Sequence, residues 1–258
     1  MKWKQLTGYQ VKDNLKSLAI FYAIYYGMMV VISVINSVLH ATSSLDGAVN
    51  YSLNSNGTEM VGVVFIFVVG LCSFKERFYL CLQSGISRKT LFVSFLFASG
   101  ITVAIMGLAD LLLPALINWV FQDTHMISFF EQSYALAFES KGVLFFLNQW
   151  GFSFSLYWVM MLAGYFISIL YYRMSTPVKV AVSVGVPVLC IYILPVLDYT
   201  MFQYKLFSSL SQFVVFALGI DSYPQIRAWM PVVSFLVVTA VLSGFAFLLM
   251  RKAVLKKS

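Results

Sequence analysis

The sequence predicts an all-α polytopic membrane protein with six transmembrane helices. Hydrophobic residues occupy 60% of its 258 positions, whereas charged residues occupy only 10%. Because a soluble domain carries roughly 25% charged residues, most of the surface of this chain is predicted to face lipid. Aromatic residues reach 17%, and their rings suit contact with lipid tails and headgroups. This composition excludes cytosolic enzymes, disordered tails and disulfide-stabilised domains.

The predicted spans follow from the lengths of the apolar runs. A spanning helix needs about 20 apolar residues, and five runs come close to that length or exceed it. The run over 60–74 is shorter, and we expect it to cross with help from the residues before it or from a locally thin bilayer. The six predicted spans are 18–41, 58–74, 90–120, 146–172, 178–197 and 229–250.

The positions of the basic residues favour six crossings with both termini in the cytoplasm. Of the 17 Lys and Arg residues, only Lys141, Lys205 and Arg227 then lie outside, in agreement with the positive-inside rule. If the short apolar run 206–220 also crossed, the basic tail after residue 250 would emerge outside. The net charge of +7 is thus explained by topology, and the scattered basic residues indicate no nucleic-acid partner.

The first apolar run is predicted to remain in the protein as a span. It is far longer than the roughly 7 to 15 residues of the apolar part of a signal peptide. Before it, residues 1–17 place Trp3, Leu6 and Tyr9 among lysines. This mixture predicts a separate helix that lies in the membrane interface.

Residues of known catalytic and metal-binding motifs are missing or misplaced. No G-x-x-x-x-G-K-[ST] occurs, so the chain lacks a P-loop for ATP. His40 and His125 form no H-E-x-x-H, and no serine lies in G-x-S-x-G. Cys72, Cys81 and Cys190 have no metal-binding spacing and are predicted to be buried, unreactive thiols. We therefore expect no enzyme activity, cofactor or metal in this chain itself.

Asp110 is the one acid inside the apolar part of a predicted span, and it has two interpretations. Acids at membrane depth are costly and usually functional, which favours a substrate or proton site. Counted from Phe92, however, Asp110 lies about 27 Å along the helix and so near the outer interface. A hydrogen-bonded structural carboxylate explains that position equally well. A lone carboxylate cannot form a catalytic dyad.

The segment between the second and third spans predicts a short amphipathic helix. Phe74, Phe78 and Leu82 recur at i, i+4 and i+8 and form one apolar face, while Glu76 and Arg77 point in other directions. The pattern allows two interpretations. The helix either rests on the lipid headgroups with its phenylalanines in the lipid, or it is held rigidly in the cytoplasm between two spans.

A turn and a second helix are predicted after this amphipathic helix. Gly85 can adopt the left-handed conformation that ends a helix. Ser87 is a suitable N-cap for the next helix, which starts at Arg88. The two helices are therefore predicted to meet at a sharp, defined angle.

With these elements in order, the chain resembles the six-span permease subunits of ABC-2 type transporters. The turn Gly85-Ile86-Ser87-Arg88-Lys89 is similar to the Gly-x-Ser-Arg-Lys turn that opens the third span in many bacterial members. The segment 1–17 matches the connecting helix of that family, and 74–86 matches its coupling helix. The resemblance extends over the whole chain, 1–258, as one permease domain.

The resemblance implies a docking site for a separate ATPase. In the family, the coupling helix inserts into a cleft of the ATPase subunit, of which two copies bind ATP and Mg. A second copy of the permease, or a similar permease, completes the pathway in the bacterial plasma membrane. The residues that would carry this docking are Phe74, Glu76, Arg77, Phe78, Leu82, Gly85, Ser87 and Arg88.

The family also places helices that re-enter the outer leaflet between the fifth and sixth spans. The segment 204–222 fits such an element, in which Gln212 would face the pathway or a partner subunit. Cargo is expected to be hydrophobic or amphipathic, such as a peptide antibiotic, a toxin or a drug, because charged groups are scarce within the spans. The implied direction is export.

Two other function classes stay open on the sequence. One is a non-transporting receptor or immunity protein that binds a peptide or a sensor kinase. The other is an intramembrane enzyme with an unrecognised site. A neighbouring ATPase, encoded with this chain, would favour transport over both.

Overall fold

The structure is a computed structural model, and it describes residues 2–43, 54–56, 58–120, 125–138, 142–220 and 226–251. Within these ranges nearly every residue is helical. The α-helices are α1 (Lys2–Ser43), α2 (Thr58–Cys72), α3 (Lys75–Gln83), α4 (Arg88–Val120), α5 (Phe129–Tyr134), α6 (Val143–Arg173), α7 (Thr176–Val188), α8 (Leu194–Leu197), α9 (Lys205–Ala217) and α10 (Met230–Arg251).

Shorter elements join these helices. A 3₁₀ turn, Ala135–Ala137, follows α5, and π-helical turns over Leu189–Ile193 and Asp198–Phe202 flank α8. Strands β1 (Asn54–Asn56) and β2 (His125–Ile127) pair in parallel. Apart from this two-stranded ladder and short connecting segments, the described part of the chain is helical.

Five helical segments in the described ranges are long and apolar enough to cross a bilayer. They are Trp3–Ile35, Arg88–Val120, Val143–Arg173, Thr176–Thr200 and Met230–Arg251. These segments are consistent with the predicted all-α polytopic membrane architecture, whereas the number of spans stays a prediction. Helix α2 has 15 residues, which is short of the length that spans a bilayer without help.

Helix α1 is continuous over 42 residues, where the sequence predicts an interfacial helix over 1–17 and a separate span over 18–41. The segment contains no proline, so nothing in its backbone interrupts the hydrogen-bond ladder. At 1.5 Å per residue, α1 is about 63 Å long, whereas a bilayer with its headgroups measures roughly 40–45 Å. One end of α1 must therefore project beyond the membrane.

Helices α1 and α4 lie side by side and run in the same direction. Three side-chain hydrogen bonds join them at regular intervals: Thr7 with Ser94 (3.0 Å), Asn14 with Thr102 (3.1 Å) and Tyr22 with Asp110 (2.7 Å). Residue numbers rise together along both helices, which establishes that the pair is parallel. The chain must therefore return between α1 and α4, and α2 lies in that interval.

Helices α2 and α6 approach each other closely through two glycines. A Cβ atom on Gly70 would lie 2.3 Å from the Met161 carbonyl oxygen, and one on Gly164 would lie 2.3 Å from the Phe67 carbonyl oxygen. No real Cβ atom tolerates such distances, so only glycine allows these backbones to touch. Small residues permit close packing of this kind between helices in membranes.

The remaining contacts give the direction of each helix. Phe95 stacks on Tyr165 with ring centroids 3.8 Å apart, and Trp150 donates to the Ala104 carbonyl oxygen. Helices α4 and α6 are therefore antiparallel. Tyr165 also donates to the Met250 sulfur atom, while Gly151 lies beside Val232, so α6 and α10 are parallel. A Cβ on Gly62 would meet Tyr157 and one on Gly70 would meet Met161, so α2 and α6 are parallel too. Helices α1 and α4 thus run one way, and α2, α6 and α10 run the other.

One end of this bundle carries nearly all the described positive charge. The beginnings of α1 and α4, all of α3, and the last turns of α6 and α10 meet there, and α7 begins there directly after α6. Arg88, for example, donates to the Arg251 carbonyl oxygen. We call it the α3 end. The described basic side chains at this end are Lys4, Lys12, Lys16, Lys75, Arg77, Arg88, Lys89, Arg173, Lys179 and Arg251.

The segment 176–217 extends away from the bundle. Helices α7, α8 and α9 contain no buried residue, and among the described side chains between them only Asp198 is buried. The Asp198 carboxylate accepts hydrogen bonds from the Leu206 and Phe207 backbone N–H groups, both at 3.0 Å. The chain reverses there through Gln203 and Tyr204, which both have positive φ. We call 176–217 the outer arm.

Substitution of Gly164 by alanine is expected to destabilise the protein, because the new methyl group must push α2 and α6 apart. Overpacking of this kind costs about 1–3 kcal/mol. Gly244→Ala is the matched control, since a Cβ there meets nothing within 4 Å and alanine favours a helix. Thermal unfolding in detergent checks the pair, and equal midpoints for both variants would contradict the close approach.

Candidate functional site

The apolar face of α3 is turned into the bundle. Phe74 and Phe78 are 1% and 0% exposed, and they pack edge-on against Tyr165 and Tyr172 of α6 at ring-centroid distances of 5.5–5.6 Å. This position does not fit a helix whose phenylalanines enter the lipid. It also means that these two rings hold α3 in place and offer no surface to another chain.

Arg77 is buried as well, and it ties α3 to α1. Its Nη2 atom donates to Asp13 at 3.0 Å and to Asn14 at 2.6 Å. Asn14 in turn donates to Thr102 of α4. A guanidinium, an amide and a hydroxyl thus connect three helices at the α3 end. Charge-assisted hydrogen bonds of this kind are stronger than neutral ones.

The outer face of α3 consists of the side chains that remain exposed, namely Lys75, Glu76, Leu80 and Gln83. Of the predicted docking residues on α3, only Glu76 belongs to this face. The side chain of Leu82 lies outside the described part of the structure. The outer face is therefore smaller and more polar than the predicted docking surface.

The predicted turn after α3 is confirmed in its geometry. Gly85 has a φ of 67°, which is the left-handed conformation that ends a helix. The Ser87 hydroxyl accepts from the Thr90 backbone N–H at 3.2 Å and so caps α4. Both residues are exposed beside the outer face of α3, and Arg88 is half-buried against the end of α10.

A stripe of buried residues on α1 was not predicted, although its spacing is visible in the sequence. Its members recur every three or four residues, as on one face of a helix: Thr7, Gln10, Asn14, Leu18, Tyr22 and Tyr26. Polar and aromatic residues in this register, directly before and within an apolar run, are the signal that could have located it. The stripe is the face of α1 that meets α3 and α4.

Asp110 lies in the core, where both of its carboxylate oxygens accept hydrogen bonds. Tyr22 of α1 donates to Oδ1 at 2.7 Å, and Tyr157 of α6 donates to Oδ2. Tyr22 also donates to the Met106 carbonyl oxygen at 3.1 Å. Asp110 therefore joins three helices through tyrosines, which is the arrangement that the structural interpretation requires.

Glu59 is a further buried acid besides Asp110 and Asp198, whereas the sequence predicts only Asp110 within the apolar part of a span. It is 1% exposed, and its Oε2 accepts from the Phe129 backbone N–H at 2.8 Å. Its Oε1 has no hydrogen-bond partner among the described residues. Gly62, one turn later, would place a Cβ 2.9 Å from the Tyr157 hydroxyl. Glu59 thus lies one turn of α2 before Gly62, the residue that packs against the Tyr157 hydroxyl, and this hydroxyl donates to Asp110.

Gln212 is not brought near Asp110. It lies exposed on α9 in the outer arm, while Asp110 lies between α1, α4 and α6. The two predicted pathway residues therefore belong to separate regions of the chain. Among the described residues, no group of three His, Cys, Asp or Glu side chains is arranged to hold a metal ion.

A cavity of about 290 Å³ opens between α1, α2 and α3 at the α3 end. We call it the α3 cavity. Its polar lining consists of Asp13, Asn14, Ser17, Ser73, Glu76 and Arg77, and its apolar lining includes Phe65 and Val68. The cavity is therefore amphipathic, with one buried cation close to two carboxylates.

The cysteines are not all buried, in contrast to the prediction. Cys72 and Cys190 are exposed and Cys81 is buried. Cys72 lines the α3 cavity, while Cys190 lies on the outer arm. Burial raises the pKa of the Cys81 thiol above its ordinary value, although Arg77 opposes part of this effect. Of the three cysteines, only Cys81 therefore has the buried, unreactive thiol that the sequence predicts.

Removal of the Asp110 carboxylate is expected to destabilise the bundle. In Asp110→Ala two buried hydroxyl groups lose an acceptor, and only Tyr22 retains another, the Met106 carbonyl oxygen. A buried polar group left unpaired costs about 1–3 kcal/mol. We expect Asp110→Ala and Tyr157→Phe to be less than additive in the double variant, because they break the same hydrogen bond.

Thermal unfolding of the two single variants and the double variant measures this coupling. Additivity within about 0.5 kcal/mol would show that the tyrosine–aspartate contact contributes nothing. Asp110→Asn separates the two interpretations of Asp110. A pathway residue would lose transport at unchanged stability, whereas a structural residue loses both together.

Maleimide is expected to modify Cys72 before Cys81 near neutral pH. The raised pKa of the Cys81 thiol lowers the fraction of reactive thiolate, and burial blocks the reagent. Peptide mass spectrometry of the folded chain in detergent should therefore find Cys72 alkylated and Cys81 free. Unfolding in denaturant is the control, and it should make the alkylation rates of Cys72 and Cys81 equal. Equal rates in the folded chain would place Cys81 at the surface.

Comparison of this chain with protein-family models, with curated proteins and with solved structures finds no match. Two features of the chain itself bear on its function. One is the set of helices that alternate in direction, and the other is a short helix fixed at the basic end of the bundle by Arg77, Phe74 and Phe78.

Proposed function

We propose that this chain is the permease subunit of an ABC-2 type exporter that is driven by a separate ATPase. The observation that carries the proposal is the way α3 is held. It is a short helix at the basic end of a membrane bundle, joined by buried contacts to α1 and α6 and exposed on its outer face. A helix that must pass motion from a soluble partner into the membrane needs this combination.

The directions of the helices support six crossings. Helices α1 and α4 are parallel, so the chain has to cross back between them, and α2 is the described helix in that interval. Tyr171 of α6 bonds Ser183 of α7 at 2.9 Å, as in a helical hairpin. Counted in order, α1, α2, α4, α6, the α7 segment and α10 then alternate, and both termini belong to one side of the membrane.

The basic α3 end supports a cytoplasmic location for both termini. Ten described Lys and Arg side chains lie there, whereas Lys205 and Arg227 lie elsewhere. Positive charge is retained on the cytoplasmic side of membrane proteins. In the bacterial plasma membrane, the outer face of α3 would then be accessible to a cytoplasmic ATPase.

The docking role belongs to the outer face of α3 and the turn that follows it. Glu76, Leu80, Gln83, Gly85 and Ser87 are exposed together at this end. Phe74, Phe78 and Arg77 have a different part in the same mechanism. They transmit displacement of α3 to α6 and α1, because they are the buried contacts between these helices.

ATP and Mg are assigned to the partner subunit, because the sequence contains no P-loop. Two ATPase copies that close on ATP would push two α3 helices and change the relative positions of two permease chains. The exposed apolar surface of the outer arm supports pairing with a second permease. A hydrophobic or amphipathic substrate, such as a peptide antibiotic, a toxin or a drug, suits a pathway with few charged side chains.

The test is co-purification of the tagged chain from its native membrane, followed by identification of bound proteins and an ATPase assay. We expect a soluble P-loop ATPase to be recovered with the wild type. Leu80→Glu should reduce its recovery about tenfold or more, because a charge replaces an apolar contact on the outer face. Leu136→Glu is the matched control, since Leu136 is also an exposed leucine but lies in the 3₁₀ turn after α5, away from α3.

Two results would contradict the proposal. Recovery of the chain without any ATPase in several detergents would favour a receptor or an immunity protein. Equal recovery with Leu80→Glu and Leu136→Glu would remove α3 from the interface. Phe78→Ala is not suitable as a docking variant, because Phe78 is buried and its removal costs about 3–5 kcal/mol of stability.

A further inference from the structure

We infer that the α3 cavity binds the headgroup of an aminophospholipid, with the phosphate on Arg77 and the ammonium group beside Glu76. The cavity has about 290 Å³, near the lower limit of roughly 300 Å³ for small-molecule pockets. It can therefore hold a lipid headgroup but not a whole lipid. This inference does not depend on the proposed transport function.

Arg77 provides the site for the phosphate. Its side chain lines the cavity and is 9% exposed. The Nη2 atom is used by Asp13 and Asn14, whereas the buried Nη1 atom has no hydrogen-bond partner in the described part of the chain and binds a phosphate once the side chain turns it toward the cavity. A buried donor without an acceptor is costly. Phosphate oxygens are the acceptors that a guanidinium binds best.

The carboxylates of the cavity select the rest of the headgroup. Asp13 and Glu76 both line the cavity, and Arg77 neutralises only one of them. A purely anionic ligand would therefore meet an uncompensated negative charge. An ammonium group that carries N–H donors can instead bond to the exposed carboxylate of Glu76. A phosphate next to a primary ammonium is the headgroup of phosphatidylethanolamine.

An apolar column leads from the cavity along α2 and suits an acyl chain. Val68 lines the cavity, and Val64 and Val61 follow one and two turns further along α2. These three side chains are 47%, 63% and 45% exposed. Below them, Phe65 stacks on Phe21 of α1 with ring centroids 4.2 Å apart. The polar cavity and the apolar column thus match the two parts of a phospholipid.

Three lysines lie near the cavity but do not line it. Lys12, Lys16 and Lys75 are exposed, so water screens their charge. They attract the phosphate group of any phospholipid and therefore give no selectivity between headgroups. Selection is therefore assigned to Arg77 and Glu76, and the experiment includes an anionic lipid for comparison.

The test is native mass spectrometry of the full chain in mild detergent with an equimolar mixture of three dioleoyl lipids. Phosphatidylcholine shares the phosphate, but its quaternary ammonium has no N–H group. Phosphatidylglycerol shares the phosphate and has no positive charge. We expect phosphatidylethanolamine to be retained about tenfold over both, as one charge-assisted hydrogen bond implies.

Two variants and their controls assign the binding to this cavity. Cys72→Trp should fill it and abolish retention, while Cys190→Trp alters an exposed thiol on the outer arm and should leave retention unchanged. Glu76→Gln, at an exposed position, should remove the preference over phosphatidylcholine without affecting the fold. Glu131→Gln, near the opposite end of the bundle, is its control.

Equal retention of the three lipids by the wild type would overturn the inference. So would an unchanged preference in Glu76→Gln, which decides the question even if Cys72→Trp does not fold. Preferred retention of phosphatidylglycerol would show that the lysines dominate and that the assignment to Glu76 is wrong. Displacement of phosphatidylethanolamine by inorganic phosphate would assign the cavity to a free anion and overturn its assignment to a lipid.

Discussion

The polar face of α1 is the feature on which the rest of the structure depends. In a bilayer, apolar contacts alone do not hold one helix against another, because lipid tails are as apolar as side chains. Thr7, Asn14 and Tyr22 bond α4 at three levels. Asn14 also accepts from Arg77 of α3. Without this face, neither the direction of α4 nor the position of α3 would be determined by α1.

Polar contacts of core tyrosines also hold α6 in the bundle. Tyr157 reaches Asp110 from α6, as Tyr22 does from α1. Three helices therefore converge on one carboxylate, whose hydrogen-bonding capacity is used on both oxygens. Nearer the C-terminal end of α6, Tyr165 and Tyr172 contact Phe78 of α3 and Phe74 just before it. Helix α6 is thus held by tyrosines at its middle and along its C-terminal half.

Several parts of this fold were predictable because they follow from local rules. The length of the apolar runs located the long helices, and the conformational freedom of Gly85 and the hydroxyl of Ser87 located the turn before α4. The periodicity of Phe74 and Phe78 identified an apolar face. It could not say what that face contacts, because lipid, a partner and the core of the same chain all accept phenylalanine.

Other parts depend on contacts distant in sequence and were not predictable. Glu59 directly precedes the apolar run 60–74, and no local pattern predicts its burial, yet its carboxylate accepts from the Phe129 backbone N–H of a later segment inside the core. The contact between Gly70 and Gly164 requires two helices that are about 90 residues apart in the chain to meet. The outer face of α3 was not predictable for the same reason. Which side of α3 is exposed depends on the contacts of Arg77 with Asp13 and Asn14 of α1.

The unbroken length of α1 has a mechanical consequence. A helix without a proline or another interruption resists bending, so a displacement at one point is carried along its axis. Arg77 holds α1 near its start, at Asp13 and Asn14, and Asp110 holds it about two turns later, at Tyr22. A shift of α3 along the membrane normal therefore must either break the Arg77 contacts or alter the geometry around Asp110. Arg77 and Asp110 do not touch each other, but the segment of α1 between Asp13 and Tyr22 connects them mechanically.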